Sequence, residues 1–264
     1  MVLQFSVLAS GSTGNAIYVG TERTSLLVDV GLTGKQAEAL LQEVGVKPNE
    51  LQAILVTHEH SDHIKGVGVM ARRYGIPVYT TEKTWGELDR LIGVVPESQR
   101  HLLEVGQTME FGDITVQSFG TSHDAVEPMG FCMHHENKKM TIATDTGYVS
   151  DKMKEIIKGS DAYIFESNHD VDMLRMSAYP WSIKQRILSD FGHLSNEMAA
   201  EALLDILGGE AERVYLAHLS KENNMMDLAK LTVKNILEES GLRVGDDVYL
   251  RETYPHRPTR MEKL

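Results

Sequence analysis

The run Thr57-His58-Glu59-His60-Ser61-Asp62-His63 sets three imidazoles and the Asp62 carboxyl within six consecutive positions. Neutral imidazole and carboxylate are good ligands for zinc, manganese or iron(II), and alternate spacing lets neighbouring side chains reach different positions around two ions. Three further candidates lie far along the chain but share one setting. His123 follows the apolar stretch Ile114–Phe119 through Gly120-Thr121-Ser122, Asp145 ends Met140–Thr144, and His218 ends Val214–Ala217. Seven ligands suit two ions: His58, His60 and His123 for one, and Asp62, His63 and His218 for the other. Asp145 bridges them, because only a carboxylate offers two oxygens to two cations. Ions about 3.5–4 Å apart would share a hydroxide and clamp both oxygens of a displacement at phosphorus or carbonyl carbon. A closed structural site usually needs only four ligands, so this set points to open chemistry.

The elements that must hold these groups are legible in outline. The His-rich run comes directly after Leu51–Val56, which reads as a buried strand, and a strand ending at a sheet edge keeps the next turn rigid. Strands are expected at Gln4–Ala9, Ala16–Gly20, Ser25–Asp29, Gln52–Thr57, Pro77–Thr80, Ile114–Phe119, Gly130–His134, Met140–Thr144, Ala162–Glu166, Arg213–Ala217 and Asp247–Arg251. Helical periodicity marks Lys35–Val44, Ile64–Tyr74, Ser195–Leu207 and Met225–Ser240. Strands interleaved with amphipathic helices imply an α/β layered domain. No linker-like segment divides the 264 residues, so a single domain over 1–264 is expected, with 255–264 as a loose tail.

Composition narrows the function classes. The chain is 42% hydrophobic and 24% charged, as in ordinary globular enzymes. One cysteine, Cys132, excludes an internal disulfide and a thiolate cluster and suits a reducing compartment. Without a signal-like start or an apolar run of about 18 residues, a cytoplasmic protein that does not enter a membrane is expected. A net charge of −12 argues against coating nucleic acid indiscriminately, yet bound dications would reverse the sign locally and attract a phosphate.

The metal set alone does not choose between esters, thioesters, lactones and phosphodiesters. Gly192–Asn196 introduces a helical pattern with Ser195 as N-cap, and a helix start offers free N–H groups to phosphate, so His193, Ser195 and Asn196 are candidate phosphate contacts. Met173–Arg186 carries Arg175, Tyr179, Trp181, Lys184 and Arg186, which suit stacking and phosphate contacts, although apolar packing explains Tyr179 and Trp181 as well. Asp29 is expected to hydrogen-bond the ligand turn rather than bind metal. His134 and His135 are expected to face solvent beside a polar hairpin turn. His169 is left between a surface position and contact with the site.

The order Thr-His-x-His-x-Asp-His, then His, Asp and His, resembles the metallo-β-lactamase-fold hydrolases, whose signatures fall here on Asp29, the His58–His63 turn, His123, Asp145 and His218. Ser10–Asn15, Gly192–Asn196 and His218–Asn224 are similar to segments of the YycJ/WalJ family of that fold. The resemblance covers nearly the whole chain. It implies an αββα sandwich of two mixed sheets flanked by helices, a dinuclear site of zinc, manganese or iron at one edge, and a 5′-to-3′ exonuclease that grips double-stranded DNA at its end. A further likeness to ribonuclease Z, in which an acidic residue pairs with a phosphate-side histidine, implies a Glu166–His193 dyad. Asp62, His193 and Glu166 are then the catalytic candidates. Glu166 could instead cap Ser167–Asp170. The alternative function is hydrolysis of a small ester, thioester or lactone.

Overall fold

Strand Ser25–Val28 buries Leu26 and Val28 on one face and Leu27 on the other. Ala162–Glu166 does the same with Ala162 and Ile164 against Tyr163 and Phe165. A strand apolar on both faces belongs to a sheet covered on both sides. The computed structural model, which describes residues 1–264, shows two such sheets packed face to face, each with helices on its outer side.

The first sheet contains β1 (Gln4–Ala9), β2 (Ala16–Gly20), β3 (Ser25–Val28), β4 (Ala53–Leu55), β5 (Val78–Thr80) and β6 (Arg100–Leu102) in that order. The second runs from β7 (Thr108–Phe111) through β8 (Ile114–Gly120), β9 (Met129–His135), β10 (Lys138–Ala143), β11 (Ala162–Glu166) and β12 (Glu212–Ala217) to β13 (Val248–Glu252). Both are mixed: β3 to β6 and β10 to β13 pair in parallel, the rest antiparallel. Between the sheets Phe5, Val19, Leu55, Phe131, Ile142 and Tyr215 form the central layer. Outside the first sheet lie α1 (Gly34–Glu43), α3 (Val67–Tyr74) and α4 (Glu82–Leu91), which bury Leu41, Met70 and Leu88. Outside the second lie α5 (Asp151–Ile157), α8 (Asn196–Ile206) and α9 (Met226–Glu239), which bury Met153, Leu203 and Val233. The expected αββα sandwich is therefore present.

Several local expectations are corrected. The helix expected over Ile64–Tyr74 is two pieces, α2 (Ser61–Ile64) and α3, interrupted at Lys65–Gly66 where Gly66 N–H donates to Val30 O at 2.7 Å. The last residues are not a loose tail. Thr259 is buried and bonds Ser6 and the Val7 amide, and β14 (Glu262–Lys263) pairs antiparallel with β1, closing the sheet edge. His135 faces inward, with Nδ1 at 2.7 Å from the Asp113 carbonyl. The short helices α6 (Val171–Met176) and α7 (Trp181–Ile187) were not legible as helices.

Candidate metal centre

Every candidate ligand leaves the carboxyl end of a strand, and the two sheets bring those ends to one edge. The turn after β4 carries His58, His60, Asp62 and His63; His123 follows β8, Asp145 follows β10 and His218 follows β12. Asp29, Asp145 and His218 sit in the left-handed region with φ of 58°, 59° and 55°. Non-glycine residues adopt it at a cost of about 1–3 kcal/mol, a strain typical of functional positions. The His-rich turn is clamped from behind. Asn15 N–H donates to the Asp62 carbonyl at 2.8 Å, and a Cβ on Gly31 would run into that same oxygen, so only glycine permits the approach.

One ring nitrogen of each of the buried candidate ligands His58, His63, His123 and His218 is held by the protein, which turns the other inward. His63 Nδ1 meets Asp29 Oδ2 at 2.7 Å, His58 Nδ1 meets Thr57 Oγ1 at 2.9 Å, and His123 Nδ1 donates to Gly192 O at 3.0 Å. His218 Nδ1 lies 3.1 Å from Glu166 Oε1. Such partners set ring orientation and tautomer in metal sites. Asp29 therefore does what was expected of it, reaching both Thr57 and His63 without joining the cluster.

The inward atoms include the two expected groups, His58, His60, His123 and Asp62, His63, His218, and two more that cut across them, His58, His63, Asp145 and Asp145, Glu166, His193, His218. His60 Nδ1 and His123 Nε2 are 3.2 Å apart; His218 Nε2 and His63 Nε2 lie 3.3 and 3.5 Å from Asp62 Oδ2. Asp145 sends Oδ1 to within 3.7 Å of His123 and 3.4 Å of His218, and Oδ2 to 3.2 Å from His63. Ligands about 2.1 Å from a tetrahedral ion are about 3.4 Å from one another, so these spacings match the edges of coordination polyhedra. His58 Nε2 and Asp145 Oδ2 are buried without any hydrogen-bond partner, a cost that a cation between them would remove. The donor set fits divalent metal.

The electrostatics point the same way. Burial pushes the Asp62 and Glu166 carboxyls up, but the facing imidazoles outweigh it and hold each at about 2. Burial lowers His218, yet Asp145, Asp62 and Glu166 together push it up to about 10. Burial, reinforced by His63, holds His58 well below its ordinary value. The carboxylates thus draw positive charge into the cluster.

Beside the ligands lies a cavity of about 320 Å³ walled by Ser12, Tyr179, Ile183, Arg186 and His193. His193 Nδ1 is 2.7 Å from Glu166 Oε1, so its Nε2 is left without a protein partner on the cavity side. Glu166 does not cap the following turn. It accepts from Thr146 N and Leu194 N and joins both His193 and His218. Ser195 and Asn196, expected at the phosphate, are buried away from the cavity. Ser195 Oγ accepts from Met198 N as an N-cap, and the Asn196 amide is shared between Ser167 and Asn224. Lys184 is also not free, since its amine donates to the Arg175 and Ser177 carbonyls, and Arg186 is paired with Asp124. His169 is buried with both ring nitrogens unpartnered, and burial pushes it down to about 4.

Asn15, Asn168 and Asp124 were missed as site residues. Asn168 holds the His218 carbonyl at 2.8 Å, and Asp124 stands 3.5 Å from His123 Nε2. Asn168 had one legible signal, its place two residues beyond a strand-exit acid; Asp124 had only its adjacency to His123.

Residues 24–219 match the family model described as the beta-lactamase superfamily domain. The chain is 56% identical to exodeoxyribonuclease YycJ of Bacillus anthracis over 99% of both chains. It is 49% identical to exodeoxyribonuclease WalJ of Streptococcus pneumoniae over 99% of this chain and 98% of that protein. The crystal structure of the metallo-β-lactamase-fold protein YhfI from Bacillus subtilis superposes with a TM-score of 0.73 at 17% identity, covering 98% of this chain and 99% of that one. With its sheets, its strand-end ligands and this full-length likeness, the chain belongs to the YycJ/WalJ family of the metallo-β-lactamase fold.

Proposed function

We propose that the protein is a metal-dependent exodeoxyribonuclease that shortens double-stranded DNA from its 5′ end. The observation that carries a phosphodiester reading is the Glu166–His193 pair, which holds an imidazole by Nδ1 on the wall of the cavity that the candidate metal ligands face. The DNA reading is supported by the full-length relatives, which are named exodeoxyribonucleases.

His58, His60 and His123 would hold one ion and Asp62, His63 and His218 another, with Asp145 within reach of both; zinc, manganese and iron all suit these nitrogen and oxygen atoms. Ions bound there supply Lewis-acid polarisation of the phosphoryl oxygens and a water made acidic at neutral pH. The chain supplies the rest. Asp62 takes the proton of the attacking water. His193, oriented through Nδ1 by Glu166, gives a proton from Nε2 to the departing oxygen. Tyr179 and Ile183 wall the cavity.

The test is metal-reconstituted protein incubated with duplex DNA labelled separately at each 5′ and 3′ end. The 5′ label should pass early into mononucleotides while the 3′ label stays on shortening strands. Early loss of the 3′ label would reverse the polarity. Intact DNA combined with hydrolysis of thioesters or lactones would replace a nuclease with a small-molecule hydrolase.

A further inference from the structure

Two more cavities continue the catalytic one across the surface, joined by shared walls. Ser12 and Ser220 line both the catalytic cavity and a second one of about 330 Å³. Tyr254 lines that second cavity and a third of about 530 Å³. The second contains Lys221 and His256; the third contains Lys230, Arg251, Arg257 and Arg260.

The charge along this groove is not balanced. Of the two acids in the third cavity, Glu252 is taken by Lys230 at 2.7 Å and by the Tyr254 hydroxyl at 3.1 Å, and Glu262 faces Arg213 at 3.4 Å. Lys221, Arg251, Arg257 and Arg260 form no ion pair. Arg257 lies over the Tyr254 ring at 3.7 Å, and Arg251 over Tyr249 at 5.3 Å. Stacking on a ring orders a guanidinium while leaving its N–H edge free, which prepares it for phosphate. In a chain of net charge −12, unpaired cations gathered along cavities that lead away from the catalytic one are a local surplus of positive charge. The opposite wall has no such surplus, because Arg186 is paired with Asp124 and Lys184 is bound to carbonyls.

We infer that this groove, floored by Ser12 and Ser220 and edged by Lys221, Arg257 and Arg260, holds the phosphate backbone of the DNA as it runs from the metal centre. The inference rests on the nuclease reading and adds where the polyanion lies. The C-terminal segment Tyr254–Arg260, docked by Thr259 and β14, is then part of the substrate surface.

The experiment measures binding of a phosphorothioate-linked duplex, which resists cleavage, as a function of salt. Lys221→Ala, Arg257→Ala and Arg260→Ala should each weaken binding several-fold and flatten the dependence of log affinity on log salt by about 0.7–0.9. Each should raise KM for DNA. Arg257→Lys should recover the slope, and Arg23→Ala, which removes the same charge from a turn outside the groove, should leave it unchanged. Slopes unaltered in all three groove variants, with wild-type protein still degrading DNA, would overturn the inference and leave the proposed activity standing. Wild-type protein that neither bound nor degraded DNA would end both.

Discussion

In the proposed reaction Asp145 and His193 divide the chemistry between them, and single substitutions separate their parts. Asp145 is the one carboxylate whose two oxygens face both ligand groups, Oδ2 towards His63 and Oδ1 towards His123 and His218. Asp145→Ala should therefore lose bound metal and nearly all activity together, read by elemental analysis beside DNA degradation; a fully loaded, active variant would refute the bridge. His193 is absent from the His58–His60–His123 and Asp62–His63–His218 groups, although it lies within ligating reach of Asp145, Glu166 and His218, and is tied to Glu166. His193→Ala should keep its metal and lose about 10²- to 10⁴-fold in turnover, the usual contribution of a general acid. Metal loss in that variant would make His193 a ligand, and unchanged turnover would leave it without a part in the reaction. Glu166→Gln should disturb both functions at once, because the same carboxylate orients His193 and His218.

At the scale of elements, α8 distinguishes a structural helix start from a binding one. Ser195 caps α8 while buried, and Asn196 is consumed by Ser167 and Asn224. Ser195→Ala should thus cost about 1 kcal/mol of stability in denaturant melts and leave KM for DNA unchanged; a raised KM with unchanged stability would return the helix start to the phosphate. Gly192, at the head of the same segment, works differently from what its sequence suggests. Its carbonyl orients His123, and a Cβ there would strike the Ile187 carbonyl. The strands that carry ligands were legible because each is an apolar run ending in a ligand-capable residue, a local signal. β6, β7 and β14 were not, because their half-exposed or very short patterns carry no such contrast. That the seven candidate ligands gather at one edge was likewise readable from type and strand exit. The fate of Lys184, Arg186 and Asn196 was not, since it depends on carbonyls and side chains brought near only by the fold.

For the whole molecule, the metal centre ties folding to pH. In the metal-free protein protons do the work of cations: His218 is raised from the ordinary 6.5 to about 10, while Asp62 and Glu166 are lowered to about 2. A base whose folded pKa is raised stabilises fully below its unfolded value and loses that contribution as pH climbs through the folded one. His218 therefore supports the metal-free fold at pH 6 and ceases to do so towards pH 10. The depressed acids act in the other direction, stabilising above about pH 4 and failing as pH falls towards 2. Metal must displace the His218 proton to bind, so binding is opposed at low pH and favoured as pH rises. The gain in melting temperature from metal should then grow steadily from pH 6 to pH 9, and at pH 7 calorimetry in buffers of differing ionisation enthalpy should register net proton release on loading. A gain that stayed constant or shrank over that range, or loading without proton release, would mean that the cluster does not hold its charge as these distances imply.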